Sequence, residues 1–262
     1  MPICPACRTF VDEGAVCRVC GAVEIEVTSI DPLVPADVEV ALLRPHGRPM
    51  VARLIIVDDD SDGEGEIVRL RRSRTTIGRR DCEVRIPHDA DVSATHATIA
   101  RSVDVRGNSH WTISDEQSTN GTFVRVDRWT LDSTTEFRLG GMPLSWQTPK
   151  QTGDPFCLVE LSDPSRTIRI HGTKTLTLGR QNPSVEIAFG DETISPVHAE
   201  LIFDGRHWMI EDLASVNGVW VRVNSYTLTD GSRFILGQQR FLFRCPSENG
   251  VAPDGISFEE PT

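Results

Sequence analysis

Apolar and polar residues alternate in short runs along most of this chain, and no stretch sustains a helical period. The first half offers "RLIIVD", "EIVRL", "TTIGR", "EVRI", "HATIA", "HWTIS", "TFVRV" and "FRLGG". The second offers "FCLVEL", "RTIRI", "LTLGR", "VEIAF", "HAELIF", "HWMIED", "VWVRV" and "RFILG". Successive side chains of a strand point to opposite faces, so alternation with many β-branched residues predicts half-buried strands. Many short strands at close spacing, with turn residues between them, predict an all-β protein built as a β-sandwich.

The two sets of runs match each other in order, and the repeat is too long for a solenoid unit. The chain therefore reads as two whole sandwich domains, residues 51–148 and 155–246, joined where Pro and Gly cluster in "WQTPKQTGDPF". A cysteine-rich head occupies residues 1–22. Residues 23–50 form a linker containing "IDPLVPADVEVALLRPHGRPM", in which "VEVALL" could add a strand. Residues 247–262 are expected to be a flexible tail.

Four landmarks recur within the repeat. The first half carries Gly78-Arg79, then Ser93 and His96, then Trp111, then Asn120-Gly121. The second carries Gly179-Arg180, then Ser195 and His198, then Trp208, then Asn217-Gly218. Taken singly, Gly-Arg is a turn, Ser-x-x-His a satisfied loop and a strand Trp a core residue. Asn-Gly before an alternating run predicts a tight hairpin with both central residues at positive φ. The set written twice in one order points to a site.

With "IGRR", "SATH" and "STNGT" in one copy and "LGR", "SPVH" and "SVNG" in the other, about three quarters of the chain resembles the forkhead-associated (FHA) domain. That family consists of β-sandwich modules that bind phosphothreonine peptides. The resemblance implies that Arg79 and Arg180 grip a phosphate and that Ser93 and Ser195 hydrogen-bond it. Thr119 would add a phosphate-side contact, and Asn120 and Asn217 would hold the peptide backbone. His96 and His198 would be buried supports for the Ser loops, while Gly78, Gly179, Gly121 and Gly218 would shape the turns. The chemistry is apt, because a phosphothreonine brings about −1.5 to −2 charges and three acceptor oxygens. Arginine answers with a planar, permanently charged fork of donors. Asparagine supplies a donor and an acceptor to an extended backbone. The second copy has Val216 where the first has Thr119, and Pro196 after its serine where the first has Ala94. The first copy is therefore expected to bind more tightly.

The head changes the picture further. "CPACRTFVDEGAVCRVCG" holds Cys4, Cys7, Cys17 and Cys20 as two C-x-x-C pairs. Four thiolates in that spacing make a closed tetrahedral site, so structural Zn2+ in a small zinc ribbon is expected. Some 20 residues bury too little apolar surface to fold without it. The remaining Cys82, Cys157 and Cys245 read as reduced, mostly buried thiols.

Composition narrows the function classes. A net charge of −11 argues against nucleic acid and against an anionic membrane as partners. No apolar run approaches the ~18 residues of a membrane helix. "MPICPACR" has no signal-peptide core, so a cytoplasmic setting is expected. There is no G-x-S-x-G, phosphate-binding loop or kinase signature, and Ser93 with His96 lacks an acid and an oxyanion site, so no enzyme is expected. "DDDSDGEGE" begins like a calcium loop, but Arg69 stands at its twelfth position, and an acidic hairpin tip is the favoured reading. Thr28 is a candidate for phosphorylation that folds back on the Arg79 pocket, against the plainer reading of a linker threonine. The function expected is a non-catalytic adaptor. It would read phosphothreonine on proteins marked by a Ser/Thr kinase and reset by a phosphatase. The alternative is a phosphate-independent scaffold.

Overall fold

The computed structural model describes residues 51–57, 65–105, 108–151, 153–172, 174–181 and 183–245. The zinc ribbon, the linker, Thr28, the acidic stretch 58–64 and the tail 247–262 lie outside the described residues. Those described form strands and no helix, so the protein is all-β. The first half gives β1 (Arg53–Val57), β2 (Gly65–Arg69), β3 (Arg74–Gly78), β4 (Val84–Arg85), β5 (Ala97–Val103), β6 (Ser109–Asp115), β7 (Thr122–Val126), β8 (Arg128–Leu131), β9 (Glu136–Leu139) and β10 (Met142–Gln147). The second gives β11 (Phe156–Glu160), β12 (Thr167–Ile170), β13 (Leu176–Arg180), β14 (Ile187–Phe189), β15 (Ala199–Phe203), β16 (Trp208–Asp212), β17 (Val219–Val223), β18 (Ser225–Leu228), β19 (Arg233–Leu236) and β20 (Gln239–Arg244).

Strand pairing crosses the boundary between the two repeats. One five-stranded sheet runs β18-β6-β5-β3-β4 and the other β14-β13-β15-β16-β8. So β18, from the second repeat, completes the sheet of the first, and β8, from the first, completes that of the second. A ten-stranded sheet runs β12-β11-β10-β9-β17-β7-β19-β20-β1-β2. In it β1 pairs with β20 in the register Leu54↔Phe243, and β10 pairs with β11 in the register Trp146↔Leu158. The repeats have exchanged their last three strands. Module I is β1–β7 with β18–β20, and module II is β11–β17 with β8–β10. They are joined by antiparallel β7 and β17 (Val124↔Val221).

The exchange has a local cause. A two-residue hairpin is the shortest common reversal, and it needs residues that accept positive φ. Only Asp127 separates β7 from β8, and only Asn224 separates β17 from β18. Neither takes a positive φ. The chain bends at one residue instead of turning back, and carries its next strands into the other module.

The core is built across the exchange. Trp111 of β6 packs 5.7 Å from Phe243 of β20, and Trp208 of β16 packs 5.7 Å from Trp146 of β10. Each module's central tryptophan thus rests on a strand supplied by the other repeat. One face of the β7–β17 ribbon sends Val124, Val126, Val219, Val221 and Val223 into this core. Its opposite face carries a small separate cluster of Phe123, Trp220 and Ile235. The Arg138 guanidinium lies 3.9 Å above the Phe123 ring, close enough for a cation–π contact.

The Asn-Gly pairs are not hairpins. β6 and β7 belong to different sheets, as do β16 and β17, so each Asn-Gly ends a loop that crosses between sheets. Positive φ falls on Gln117 and Gly121 in the first loop and on Ala214 and Gly218 in the second, and not on either asparagine. Cys82, Cys157 and Cys245 form no disulfide and are half-buried, less enclosed than their sequence setting suggested.

Candidate functional site

In each module the Gly-Arg, Ser, His and Asn-Gly landmarks converge at the ends of β3 and β13, whereas Trp111 and Trp208 stand farther along β6 and β16, opposite Arg101 and Phe203. Gly78 lies so close to the following loop that a Cβ there would sit 2.3 Å from the carbonyl oxygen of Ala94; at Gly179 it would sit 2.1 Å from that of Pro196. Only glycine lets the strand end press on the Ser loop, whatever its φ. The contact is sealed by Arg79 N–H donating to Ser93 O and Arg180 N–H to Ser195 O, both at 2.9 Å.

The serine loops are then tied to the Asn-Gly loops. Ser93 Oγ accepts a hydrogen bond from Thr119 N–H (3.1 Å), and Ser195 Oγ accepts one from Val216 N–H (3.1 Å). Each hydroxyl keeps its own proton to donate. Asn120 Nδ2 donates to Asp91 O (2.9 Å), and Asn217 Nδ2 to Thr193 O (2.8 Å). Arg79, Ser93, Thr119 and Asn120 thus share one connected rim. Arg180, Ser195 and Asn217 share its counterpart, with Val216 in the threonine's place.

His96 and His198 are fully buried behind these loops. His96 Nδ1 accepts from Ser93 N–H (3.1 Å), so Nε2 carries the proton and donates to Gly121 O (3.1 Å). His198 repeats this with Ser195 N–H (3.0 Å) and Gly218 O (3.1 Å). Both rings are neutral clamps between the serine and Asn-Gly loops. Burial pushes each imidazole below its ordinary value of 6.5, outweighing the pull of the Gly121 or Gly218 carbonyl and of Asp115 or Asp212.

The sign of the consequence is fixed. A base whose folded-state affinity for protons is lowered leaves the unfolded chain binding more protons. The contribution of the two histidines is therefore fully present above about pH 6.5 and is lost as pH falls below it. Urea midpoints measured from pH 7.5 to pH 5 are expected to fall steadily; a flat profile would rule out the neutral-clamp assignment.

A second layer supports the clamp. Asp115 Oδ2 accepts from the hydroxyls of Ser118 (2.6 Å) and Thr122 (2.8 Å), and Ser118 Oγ accepts from Gly121 N–H (3.0 Å). Burial raises the Asp115 pKa, but the bonds from Ser118 and Thr122 more than offset it and hold the carboxyl below its ordinary range. Asp212 and Ser215 repeat the arrangement, with Ser215 Oγ 2.5 Å from Asp212 Oδ1 and accepting from Gly218 N–H at 3.0 Å. This Asp-x-x-Ser pair recurs in the sequence as "DEQS" and "DLAS", a signal that reading the Asn-Gly pair alone passes over.

The modules differ where a ligand would sit. Arg79 is half-buried, and its Nε is enclosed with no hydrogen-bond partner among the described residues. Arg180 is exposed, and Val216 is 83% exposed. The exchange also places an arginine from the opposite repeat against each Asn-Gly loop. A Cβ at Gly121 (φ 81°) would meet Arg222 Nε, and one at Gly218 (φ 77°) would meet Arg125 Nε at 2.6 Å. Arg222 pairs with Glu136 (2.7 Å), whereas Arg125 donates to Ser215 O (3.2 Å) and lies 3.8 Å from Asp212. Neither arginine was a sequence candidate, because each acts on the other repeat's loop.

The FHA domain model matches residues 75–140 and 176–237. The chain carries two FHA matches in tandem. Each match takes in one complete rim, from the Gly-Arg strand end to the Asn-Gly loop.

Solved FHA structures are similar over most of the chain. One, from an analysis of phosphothreonine-dependent FHA domain interactions, is 17% identical, covering 75% of this chain and 97% of its own, with a TM-score of 0.31. The FHA domain of yeast Dun1, in complex with a doubly phosphorylated peptide derived from Rad53, is 17% identical, covering 82% and 95%, with a TM-score of 0.32. Mycobacterium tuberculosis EmbR, in complex with a low-affinity phosphopeptide, is 16% identical, with a TM-score of 0.32. There the match covers 77% of this chain but 26% of EmbR. No curated relative matches the chain. Among the described residues no helix is long and apolar enough to cross a membrane, and no cluster of His, Cys, Asp and Glu could hold a metal.

Proposed function

We propose that the protein is a non-catalytic adaptor that binds phosphothreonine peptides through its FHA rims, module I more tightly than module II. In module I, Arg79 would grip the phosphoryl group, Ser93 and Thr119 would hydrogen-bond it, and Asn120 would hold the peptide backbone. Arg180, Ser195 and Asn217 would do the same in module II. The observations that carry this reading are the Arg79 Nε, an enclosed donor without a partner among the described residues, and the Ser93 hydroxyl, which accepts from Thr119 N–H and keeps its own proton to give. Buried donors in native proteins are almost always paired, and an anion at this rim would complete the shell. Recognition of phosphorylated peptides by arginine is an established mode, of which FHA domains are one instance.

The partners would be proteins phosphorylated by a Ser/Thr kinase and released by a phosphatase. The test is a titration of the full chain with one peptide in phosphothreonine, phosphoserine and unmodified forms. Binding is expected for the phosphothreonine form and to vanish after phosphatase treatment. Binding indifferent to phosphatase would favour the phosphate-independent scaffold instead.

The four cysteines of the head complete the proposal. Cys4, Cys7, Cys17 and Cys20 would hold one structural Zn2+, which supplies fold and no chemistry because four thiolates leave no open position. Elemental analysis of the purified chain is expected to give one zinc per molecule, and none after Cys4→Ser with Cys7→Ser.

A further inference from the structure

The two modules tie down their Asn-Gly loops with different chemistry. In module I, Asp115 Oδ2 takes hydroxyl bonds from both Ser118 and Thr122, and Thr122 directly follows the Asn120-Gly121 pair. The same place in module II is held by Val219, a fully buried side chain with no donor. Asp212, the counterpart of Asp115, gathers both bonds from Ser215 on Oδ1. Its Oδ2 faces the Arg125 guanidinium at 3.8 Å.

Arg125 comes from the other repeat. It stands on β7, the strand that leaves the first rim, and β7 pairs with β17 so that Arg125 lies opposite Trp220. Its Nη2 donates to Ser215 O (3.2 Å), and a Cβ at Gly218 would come within 2.9 Å of its Cζ. One side chain thus touches both ends of the segment 215–218. Arg222, its counterpart, is drawn elsewhere: the register Val221↔Phe137 sets it beside Glu136, and the two pair at 2.7 Å. The register Val124↔Phe234 sets Arg125 beside Arg233 instead. Like charges across strands repel, and the carboxylate that Arg125 meets is Asp212. Burial lowers the His198 pKa most, and the Arg125 charge lowers it further. The loop needs bracing, because Ala214 is held at φ 54°, a left-handed conformation that persists in a residue with a Cβ only where surrounding contacts fix it.

We infer that Arg125 is a positioning residue of module II: the first repeat lends the second repeat's recognition loop the contact that Val219 cannot make, and so fixes where Val216 and Asn217 stand in the rim. This rests on the phosphothreonine reading of that rim. Arg125 acts through Asp212, Ser215 and Gly218 rather than on the peptide. Val216 N–H reaches Ser195 Oγ, and Asn217 Nδ2 reaches Thr193 O, only while the segment between Ser215 and Gly218 keeps its place. A substitution on the strand that leaves the first rim therefore weakens the second.

The test compares the full chain unsubstituted, as Arg125→Ala, and as Arg125→Ala with Val219→Thr. The added threonine places a hydroxyl at the position from which Thr122 reaches Asp115. Amide hydrogen exchange reads the loop without any ligand, since Gly218 N–H donates to Ser215 Oγ and Val216 N–H to Ser195 Oγ. In Arg125→Ala both are expected to exchange about tenfold faster, as loss of one charge-assisted hydrogen bond would allow. Gly121 N–H, which makes the corresponding bond to Ser118 Oγ in module I, is expected to keep its rate. Val219→Thr is expected to restore Gly218 and Val216. Binding of a phosphothreonine peptide, measured with module I silenced by Arg79→Ala, is expected to follow the same order: about tenfold weaker, then recovered. Should Arg125→Ala not fold, Arg125→Gln takes its place with the same expectations. If no phosphothreonine peptide binds at all, the reading of the rim fails, and the exchange rates alone decide the role of Arg125. An unchanged rate at Gly218, an equal rise at Gly218 and Gly121, or a loss that Val219→Thr does not recover would each overturn the assignment.

Discussion

Residues 51–148 produced alone are expected not to fold as a monomer. The fragment contains β1–β10 but lacks β18–β20, so β6 loses an edge partner and β1 loses β20. β7 loses both of its neighbours, β17 and β19. Trp111 loses Phe243, which it packs against at 5.7 Å. Removing one large aromatic contact from a core costs about 3–5 kcal/mol, against about 5–15 kcal/mol for a whole domain. Losing three strands exceeds any such reserve. The fragment's own β8–β10 cannot fold back to fill the gap: the strand that occupies the edge of β6 enters beside Thr122, at the start of β7, whereas β8 leaves after Val126, at its end, and Asp127 alone cannot span that length. Exchange with a second copy remains open, since β8–β10 already fit a module of the same design. Size-exclusion chromatography with light scattering is expected to show dimer or aggregate. Adding residues 155–246 in trans is expected to yield a heterodimer that unfolds cooperatively. A monomeric fragment with its own sharp unfolding transition would show that the exchange is not required.

That connectivity marks the limit of what the sequence reveals. The class and the repeat are legible because alternation of apolar side chains is a local property of each strand, and runs such as "TFVRV" and "VWVRV" display it twice. The rims are legible because Arg79, Ser93 and Asn120 stand on loops of one repeat, in fixed order. β8, β10, β18 and β20 are harder to see. "RWTL" and "SYTL" are four residues long, while "MPLSWQ" carries a proline and "QRFLFR" begins with two polar residues. Pairing partners are harder still. Nothing in β8 names β16 rather than β6, because the repeats offer near-identical edges. The deciding feature is negative: the missing turn residues at Asp127 and Asn224. The same local reasoning misassigned Asn-Gly as a hairpin. The dipeptide has the right turn chemistry, but the strands on either side of it lie in different sheets. Arg125 and Arg222 stayed hidden for a related reason, since each supports a loop about a hundred residues away in sequence.

Arg79→Ala is expected to weaken phosphothreonine-peptide binding at module I by about two to three orders of magnitude, and Arg180→Ala to have a smaller effect on the full chain. Truncating one partner of a buried, hydrogen-bonded charge pair costs about 2–5 kcal/mol, and each 1.4 kcal/mol is about tenfold. Arg79 meets the conditions for the upper part of that range. It is half-buried, and its Nε is already desolvated without a protein partner, so an incoming phosphate finds a donor whose desolvation cost belongs to folding. Arg180 is exposed and must give up water when it binds. Its rim also lacks the hydroxyl that Thr119 gives the first. Arg79→Lys separates charge from shape: lysine keeps the charge but loses the planar fork, and is expected to recover only part of the affinity. Urea midpoints of each variant control for folding, since the Arg79 backbone N–H that closes onto Ser93 O is present whatever the side chain. Equal losses for Arg79→Ala and Arg180→Ala would mean that enclosure of the guanidinium does not set the strength of the rim. A larger loss for Arg180→Ala would reverse the order of the two modules, and module II would then be the principal reader.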